Sequence, residues 1–436
     1  MVKYSCERCG KEFSQKSHYD SHNRRKTPCE NNADKIKQLV DKAVEEKLQE
    51  LNKKLNVESV NISNHNMSEI KDKVKVLSLF TGIGGMDMGF DGEVIVHKDS
   101  IINKEFIDKT YFVKNFVVLK KNNFKCVFQN DILEGAKEVF KFNNDSSNYN
   151  TTSIYKLISE NYVFPDADIV IGGFPCQDFS HAGKRKGFKS NKGHDLKDKV
   201  VPEKENSRGT LYKSFVEVVK RVKPKIFVAE NVYGLITMKT EPIKQIINDF
   251  SQLGYDVDYQ IIYCPEHGIP QTRKRVIIMG ISKERNIDIS EGWNIITKNK
   301  TECTIGKYFE HLLEPDITND ISQMVYSKAK KLEKGQGQTE INLDSFAPTM
   351  RAEHHGNIEF RRHENSKINV NEKNMIQRRL TVREAGLIQT FPPNYVFSKK
   401  RNMVAYKYIG NAVPPLLGYL IADKVNELCN KHFAFA

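Results

Sequence analysis

The feature that most constrains this chain is the alternation, between residues 73 and 284, of short apolar segments with longer amphipathic ones. Short apolar strands separated by helices predict a mainly parallel sheet with helices on both faces. Ligands of such a sheet bind beyond the carboxyl ends of its strands. The segments with strand character are 73–80, 124–131, 167–174, 225–232, 259–264 and 275–281, and those with a helical apolar face are 210–222 and 241–253.

Composition divides the 436-residue chain into five segments. A basic segment containing Cys and His occupies 1–30, and an amphipathic helix followed by a polar linker is predicted for 31–72. The alternating core covers 73–284. Residues 285–375 are charged and lose the alternation, which returns in 376–436. We therefore expect a small N-terminal domain, a core, and a second domain placed before the core resumes.

Charge and apolar content narrow the class of protein. The formal net charge of +13 favours a polyanionic partner such as nucleic acid. No apolar run approaches the roughly 20 residues that span a bilayer, and the N-terminus lacks the apolar core of a signal peptide. Most of the 8 cysteines stand singly and far apart, which is not typical of a disulfide framework. These features favour an intracellular protein.

A glycine-rich turn, FTGIGG, follows the first predicted strand. Gly82, Gly84 and Gly85 allow a tight turn and a close backbone approach to a nucleoside at a helix N-terminus. The second predicted strand ends at Asp131, where a carboxylate can accept hydrogen bonds from ribose hydroxyls. Together they indicate a nucleoside cofactor, either a dinucleotide or S-adenosylmethionine. The turn alone is equally typical of a plain strand–helix junction.

A single cysteine, Cys176, stands directly after the third predicted strand, in GGFPCQDFS. Pro175 restricts the turn, and basic residues follow at 184–186, a setting that favours a nucleophilic thiolate. A buried structural cysteine is the alternative. Glu230 ends the fourth strand, so Cys176 and Glu230 are expected to face one pocket. A nucleophile beside a carboxyl group suits attack on an electron-poor ring.

Two arginines, Arg273 and Arg275, stand at the start of the last predicted strand, in QTRKR. Strand alternation would point both side chains to one face, where they could orient a carboxylate or a phosphate.

In this order, these segments resemble the DNA cytosine-5 methyltransferase family. The resemblance covers about residues 74–434 and rests on FTGIGG, GGFPCQDFS, ENV, QTRKR, RRLTVREAGLIQTFPPNY and YIGNAVPPLLG. It implies an α/β fold with a Rossmann-like core that binds S-adenosylmethionine, a smaller target-recognition domain in 285–375, and double-stranded DNA as substrate. The implied setting is a prokaryotic or viral restriction–modification or self-marking system, in the cytoplasm of a prokaryotic or infected host cell, with a monomer in catalysis.

The resemblance also implies catalytic roles, position by position. Cys176 would add to C6 of a cytosine flipped out of the duplex, so that C5 can take the methyl group. Glu230 would hydrogen-bond N3 of that base. Arg275, with Arg273, would orient the base and the carboxylate. Extruding the base costs a few kcal/mol of stacking and pairing.

The cofactor positions implied by the resemblance are Phe80, Gly82, Gly84, Gly85, Asp131, Pro175, Asn411 and Ala412. Three features depart from the family's pattern. A long segment, 90–124, precedes the second strand; Ser153 is the residue nearest to the place of an acid beside the adenine; and a charged insertion, 188–206, follows the cysteine loop. The last is expected to add DNA contacts, with a solvated excursion as the alternative.

The expected recognition region contains LDSFAPTMRAEHHGNIEFRRHE, rich in side chains that read base edges in the major groove. Thr349 and Met350 match the short motif that the family keeps there. A tRNA cytosine-5 methyltransferase is the first alternative, and the length of this region argues against it. A catalytically silent DNA-binding regulator is the second, and the intact catalytic motifs argue against that. An NAD-dependent oxidoreductase would explain only the glycine turn.

The N-terminal segment resembles a small ββα zinc finger with a changed last ligand. The predicted zinc ligands are Cys6, Cys9, His22 and Cys29, with Phe13 and Tyr19 in the positions of core residues. Tetrahedral zinc takes four nitrogen or sulfur ligands, and so short a segment needs such a metal to fold. His18 is a competing ligand with poorer spacing. Both DNA and protein are open as partners of this finger.

Overall fold

The computed structural model describes residues 4–6, 11–24, 73–175, 211–293, 303–328, 337–353, 355–364, 368, 370–372 and 374–433. The chain divides into two compact units, Met1–Lys71 and Asp72–Ala436. Among the described residues, no helix combines the length and the apolar character needed to cross a membrane.

The described part of the first unit has the order strand, strand, helix. β1 (Tyr4–Ser5) pairs antiparallel with β2 (Glu12–Phe13), and α1 (Lys16–Asn23) follows. The Phe13 ring lies 4.9 Å from the His22 ring and 6.2 Å from that of Tyr19, measured between centroids. Both predicted core residues therefore pack between the hairpin and the helix.

The second unit contains the alternating core. Its strands are β3 (Val74–Leu79), β4 (Ile95–His97), β5 (Ile107–Thr110), β6 (Phe116–Leu119), β7 (Phe124–Asn130), β8 (Tyr149–Asn150), β9 (Ile169–Gly172), β10 (Ile226–Val232), β11 (Tyr255–Tyr263), β12 (Lys274–Ser282), β13 (Phe360–Arg362) and β14 (Arg378–Arg379). Its helices are α2 (Gly85–Asp91), α3 (Glu134–Asn143), α4 (Ile154–Ser159), α5 (Leu211–Val222), α6 (Gly234–Thr237), α7 (Pro242–Ser251), α8 (Ile305–Phe309), α9 (Val382–Ile388), α10 (Ala405–Asn411) and α11 (Pro415–His432).

Seven strands form the central sheet, in the order β11-β12-β10-β9-β3-β7-β8. Pairing is parallel from β10 to β8, and β12 runs antiparallel to both of its neighbours. The prediction of a mainly parallel sheet is confirmed. The two-residue strand β8 was not predicted, because so short a segment carries no periodicity.

Both faces of the sheet are covered, as strand alternation requires. On β10, Ile226 and Val228 face one layer, which includes α2 and α11, whereas Phe227 and Ala229 face the other, which includes α4, α5 and α7. All four side chains are fully buried. The uninterrupted apolar run in the sequence follows from this two-sided burial.

Helices α2 and α11 approach each other closely at two glycines. A Cβ atom on Gly89 would lie 2.2 Å from the carbonyl carbon of Gly418, and one on Gly418 would lie 3.1 Å from Cα of Met86. Glycine at these positions therefore allows direct backbone contact between the first and last helices of the core.

The segment predicted only as an insertion, 90–124, forms a sheet of its own. Its three strands lie in the order β4-β6-β5 and pair antiparallel. The sequence alone did not indicate these three strands, because charged residues in the hairpin interrupt the apolar pattern.

Buried ion pairs hold the recognition region to the returning core. Arg361 Nε lies 3.6 Å from Glu384 Oε1, with both side chains buried, and the Arg383 guanidinium donates to both oxygens of Asp320, at 2.6 and 3.2 Å. Glu384 also completes a capping box with Thr381 at the start of α9. The capping box satisfies helix N–H groups that would otherwise be buried without acceptors.

We predict that Gly89→Ala destabilises the protein by about 3 kcal/mol, because the new methyl group meets backbone that cannot move aside. The gain in helix propensity, roughly 1 kcal/mol, is too small to offset this clash. Gly418→Ala is the matched control and should cost less, since its closest contact is looser. Chemical denaturation of both variants would measure the difference, and equal stabilities would contradict the assigned contact.

Candidate cofactor and catalytic site

A cavity of about 230 Å³ lies at the carboxyl ends of β3, β7, β9 and β10. This is the edge at which the sequence predicted a ligand. The predicted site residues that line the cavity are Phe80, Gly82, Gly85, Asp131, Pro175, Glu230, Asn411 and Ala412. Gly84 belongs to the same turn but faces α3, because a Cβ atom there would lie 2.7 Å from the Phe140 ring.

The glycine turn has a conformation that L side chains rarely adopt. Backbone φ is positive at Phe80, Gly82 and Gly84, with values of 54°, 57° and 80°. Two contacts from neighbouring strands fasten it: Thr81 N donates to Asn130 O at 3.0 Å, and Tyr149 Oη donates to Gly82 O at 2.8 Å. The turn is therefore held open by the sheet before any ligand binds.

Asp131 connects the turn to the end of β7. Its Oδ2 accepts from Gly82 N at 3.0 Å, and its Oδ1 accepts from Leu133 N at 2.9 Å. Burial raises the pKa of the Asp131 carboxyl group, and these two N–H groups act in the opposite direction. Each oxygen keeps a further lone pair on the cavity side, which can accept from a hydroxyl group.

Glu230 and Arg275 form an ion pair across neighbouring strands. Glu230 Oε1 lies 2.7 Å from Arg275 Nε, although the N–H does not point squarely at the oxygen. The pairing of Val232 with Arg275 brings the two side chains together. A Cβ atom on Gly173 would lie 3.2 Å from Glu230 Oε2, so the missing side chain leaves space in front of the carboxylate.

The predicted nucleophile, Cys176, lies outside the described residues. The segment that leads to Cys176 reaches the cavity, because Pro175 lines the cavity and Phe174 is buried. Asn231 Nδ2 donates to Phe174 O at 3.1 Å and ties this segment to the end of β10. The sequence interpretation gave Asn231 no such role.

The structure separates the two predicted arginines. Arg273 precedes β12 and is buried, and its guanidinium donates to Met350 O at 3.3 Å and to Ala412 O at 3.2 Å. It is not among the described residues that line the cavity. Arg273 thus links the Thr349-Met350 motif to the Asn411-Ala412 segment, while Arg275 reaches the Glu230 carboxylate.

The sequence profile described as C-5 cytosine-specific DNA methylase matches residues 74–427. The chain belongs to this family. The Type II methyltransferase M.BsuRI of Bacillus subtilis is 31% identical over 376 residues, covering 81% of this chain and 79% of that protein. The Type II methyltransferase M.BspRI of Lysinibacillus sphaericus is 31% identical over 411 residues, covering 90% of each. The predicted family and enzyme class are confirmed: the protein is a DNA cytosine-5 methyltransferase, acting on DNA, and S-adenosylmethionine is the methyl donor expected for the family.

The fold agrees with this membership. The crystal structure of the S. pombe Dnmt2 methyltransferase superimposes with a TM-score of 0.54 at 19% identity, covering 82% of this chain and 99% of that one. The mixed α/β core with a central sheet is common to both.

Several cavity residues of this methyltransferase were missed by the sequence interpretation. Lys407 and Tyr408 line the cavity from α10, and Asp87 lines it from α2. Ser153, the predicted substitute for an acid near the adenine, is also in the lining. Asp87 had a detectable signal, since it is an acid in the first turn of a helix that follows the glycine turn.

Asp87 is buried beneath that turn. Ser78 Oγ donates to Asp87 Oδ2 at 3.0 Å and lies 2.9 Å from Thr81 Oγ1. Burial is the dominant influence and raises the pKa of the Asp87 carboxyl group to about 7, although the Ser78 hydrogen bond lowers it.

We predict that Asp87 causes the free energy of unfolding of this methyltransferase to fall as pH rises from about 4 to about 7. A carboxyl group with a raised folded-state pKa favours the folded state when protonated, and that contribution disappears as pH rises through the folded pKa of about 7. The loss amounts to roughly 4 kcal/mol at most. Asp87→Asn should remove this pH dependence, which denaturation curves at several pH values would detect. Parallel pH profiles for the two proteins would contradict the prediction.

Proposed function

We propose that this methyltransferase modifies cytosine within one DNA sequence through a covalent bond between Cys176 Sγ and C6 of the base. The observation that carries the proposal is that Glu230, ion-paired with Arg275, lines the cavity beside the GGFP segment. Its support in the sequence is the PCQ motif directly after that segment. The Type II names of the relatives support a restriction–modification or self-marking setting.

The proposed catalytic steps use residues on two strand ends. The Cys176 thiolate adds to C6, and the ring electrons move toward C5 while the Glu230 carboxyl group, in its protonated form, donates a hydrogen bond to N3. S-adenosylmethionine, when bound, supplies the methyl group that C5 takes. Loss of the C5 proton to a base and departure of the thiolate from C6 then restore the ring. Arg275 holds the Glu230 carboxylate in place, and Gly173 leaves room for the base.

The cavity residues fit an S-adenosylmethionine site. The Asp131 carboxylate has lone pairs for ribose hydroxyls, and the glycine turn presents backbone next to it. Phe80, Gly82, Gly85 and Pro175 form one wall, and Asn411 with Ala412 forms another. In this proposal Gly84 supports the turn, and Arg273 positions the Asn411-Ala412 segment.

Trapping tests the proposed chemistry. The protein is incubated with S-adenosylmethionine and a duplex pool that contains 5-fluorocytosine, and DNA that stays covalently bound is sequenced. Fluorine at C5 prevents the final elimination, so the active enzyme should remain attached at its target through Cys176. The Cys176→Ser variant should bind DNA without a covalent adduct, and duplex with ordinary cytosine is the second control.

Other results would overturn parts of this proposal. An adduct that persists in Cys176→Ser would identify another nucleophile. An adduct on RNA and none on DNA would contradict DNA as the substrate and favour tRNA. Absence of any adduct, with DNA binding retained, would favour a silent DNA-binding regulator.

We further propose that the enzyme acts as a monomer. We also propose that Cys6, Cys9, His22 and Cys29 bind one structural zinc ion. Cys6 and His22 are both buried in the described part of the first unit, and the Phe13 ring packs on His22. Cys9 and Cys29 lie outside the described residues, and within those described no group of three or more His, Cys, Asp or Glu is placed to hold a metal. Sulfur and nitrogen donors of this set suit tetrahedral zinc.

We predict about one zinc ion per chain in the full-length protein, and its loss in Cys29→Ala, because three remaining ligands hold zinc weakly. His18→Ala is the matched control and should keep the metal. Elemental analysis after dialysis would measure both. Loss of zinc from His18→Ala, with retention in Cys29→Ala, would reverse the assignment of the ligands.

A further inference from the structure

The insertion sheet, defined as β4, β5 and β6 with their connections (93–121), contacts the beginning of the recognition region. Asp99 Oδ2 forms an ion pair with Lys307 Nζ at 2.8 Å. Asn115 Nδ2 donates to Glu310 Oε2 at 3.1 Å. These polar contacts lie at the margin of the contact surface, where the side chains are partly or fully exposed.

The centre of this surface is buried. Ser100 Oγ and Tyr308 Oη are hydrogen-bonded at 2.8 Å, and both residues are almost completely excluded from solvent. The Phe116 ring packs edge-on against Tyr308, with centroids 5.7 Å apart, and against His311 at 5.0 Å. A mixed polar and aromatic centre of this kind favours one relative position of its two sides, because a shift of either side would break a buried hydrogen bond.

The opposite side of the insertion sheet is packed on the methyltransferase core. Val94, Val96, Val117 and Leu119 belong to the apolar layer that contains α2 and α11. The Phe106 ring contacts the Tyr419 ring of α11 at 5.6 Å. The insertion sheet therefore joins the core on one side to the recognition region on the other.

Helix α8 needs such support. It spans only Ile305–Phe309, which is too short to be stable by itself. Among the described residues that follow, none belongs to a helix or strand before Phe360, so their position depends on tertiary contacts. A displacement of about 1 Å is enough to disrupt a hydrogen-bonding constellation of the kind that reads base edges.

We propose that the insertion sheet sets the position of the recognition region relative to the catalytic core, with Lys307 and Tyr308 as positioning residues for DNA recognition. This inference rests on the proposed function, in which residues 285–375 read the target sequence. It assigns a role to the segment 90–124, which the catalytic motifs do not use.

Tyr308→Phe tests the buried contact and removes one hydroxyl. The expected result is a roughly fivefold fall in kcat/KM for the target duplex and a similar loss of discrimination against single-mismatch duplexes, the size that one hydrogen bond gives. Binding of S-adenosylhomocysteine should stay unchanged. Tyr255→Phe is the matched control, because it removes a buried tyrosine hydroxyl that donates to Pro224 O at 2.7 Å, away from this surface.

Charge exchange across Asp99 and Lys307 tests the marginal contact. Asp99→Lys and Lys307→Asp should each lower discrimination, and the double variant should recover most of it, since the ion pair is restored in reverse. Discrimination is read by sequencing methylated cytosines in a mixed duplex pool.

The outcomes separate this inference from the proposed function. A wild-type protein that methylates no DNA would overturn the proposed function itself. Two results with an active wild-type protein would overturn the positioning role. One is that Tyr308→Phe and Tyr255→Phe have equal effects on stability and discrimination. The other is that the charge-exchanged double variant discriminates no better than either single variant.

Discussion

The parallel pairing of β3 with both β7 and β9 is the constraint on which the rest of the methyltransferase core depends. Leu79 pairs with Asn130 on one side and with Gly172 on the other, and Gly172 pairs in turn with Ala229 of β10. These strands therefore end at nearly the same level. The glycine turn, the Asp131 segment, the GGFP segment and the Glu230 side chain all meet there because parallel strands release their loops at one edge.

Three acids at this edge have partners of three different kinds. Asp131 accepts from two backbone N–H groups, Asp87 accepts from a serine hydroxyl, and Glu230 faces a guanidinium. Burial dominates at Asp87, where only neutral donors oppose it. Glu230 has a full positive charge beside it, which holds its carboxylate at the cavity. The three carboxyl groups therefore differ in the charge of their partners.

The recognition region is held by two kinds of interaction. Apolar side chains such as Met350 and Ile358 pack in one buried cluster with Leu380, Val382 and Ile409. The buried Arg361–Glu384 ion pair and the aromatic contacts of the insertion sheet add to this packing. Buried ion pairs add little net stability but are costly to break singly, so they favour one arrangement over its alternatives. For the proposed reading of a target sequence, one defined position of this region matters more than additional stability.

The sequence by itself determined the central sheet, the family, and a set of site residues most of which line the cavity, because these depend on local periodicity and on short motifs at strand ends. The two-sided burial of β10 and the position of Glu230 followed from those patterns. Only the tertiary structure decided the different roles of Arg273 and Arg275, since β12 begins at Lys274 and alternation does not extend to the residue before it. The cavity position of Lys407, and the contact between the insertion sheet and α8, also came from tertiary structure. Each brings together residues far apart in the chain, and no local pattern in the sequence encodes such a contact.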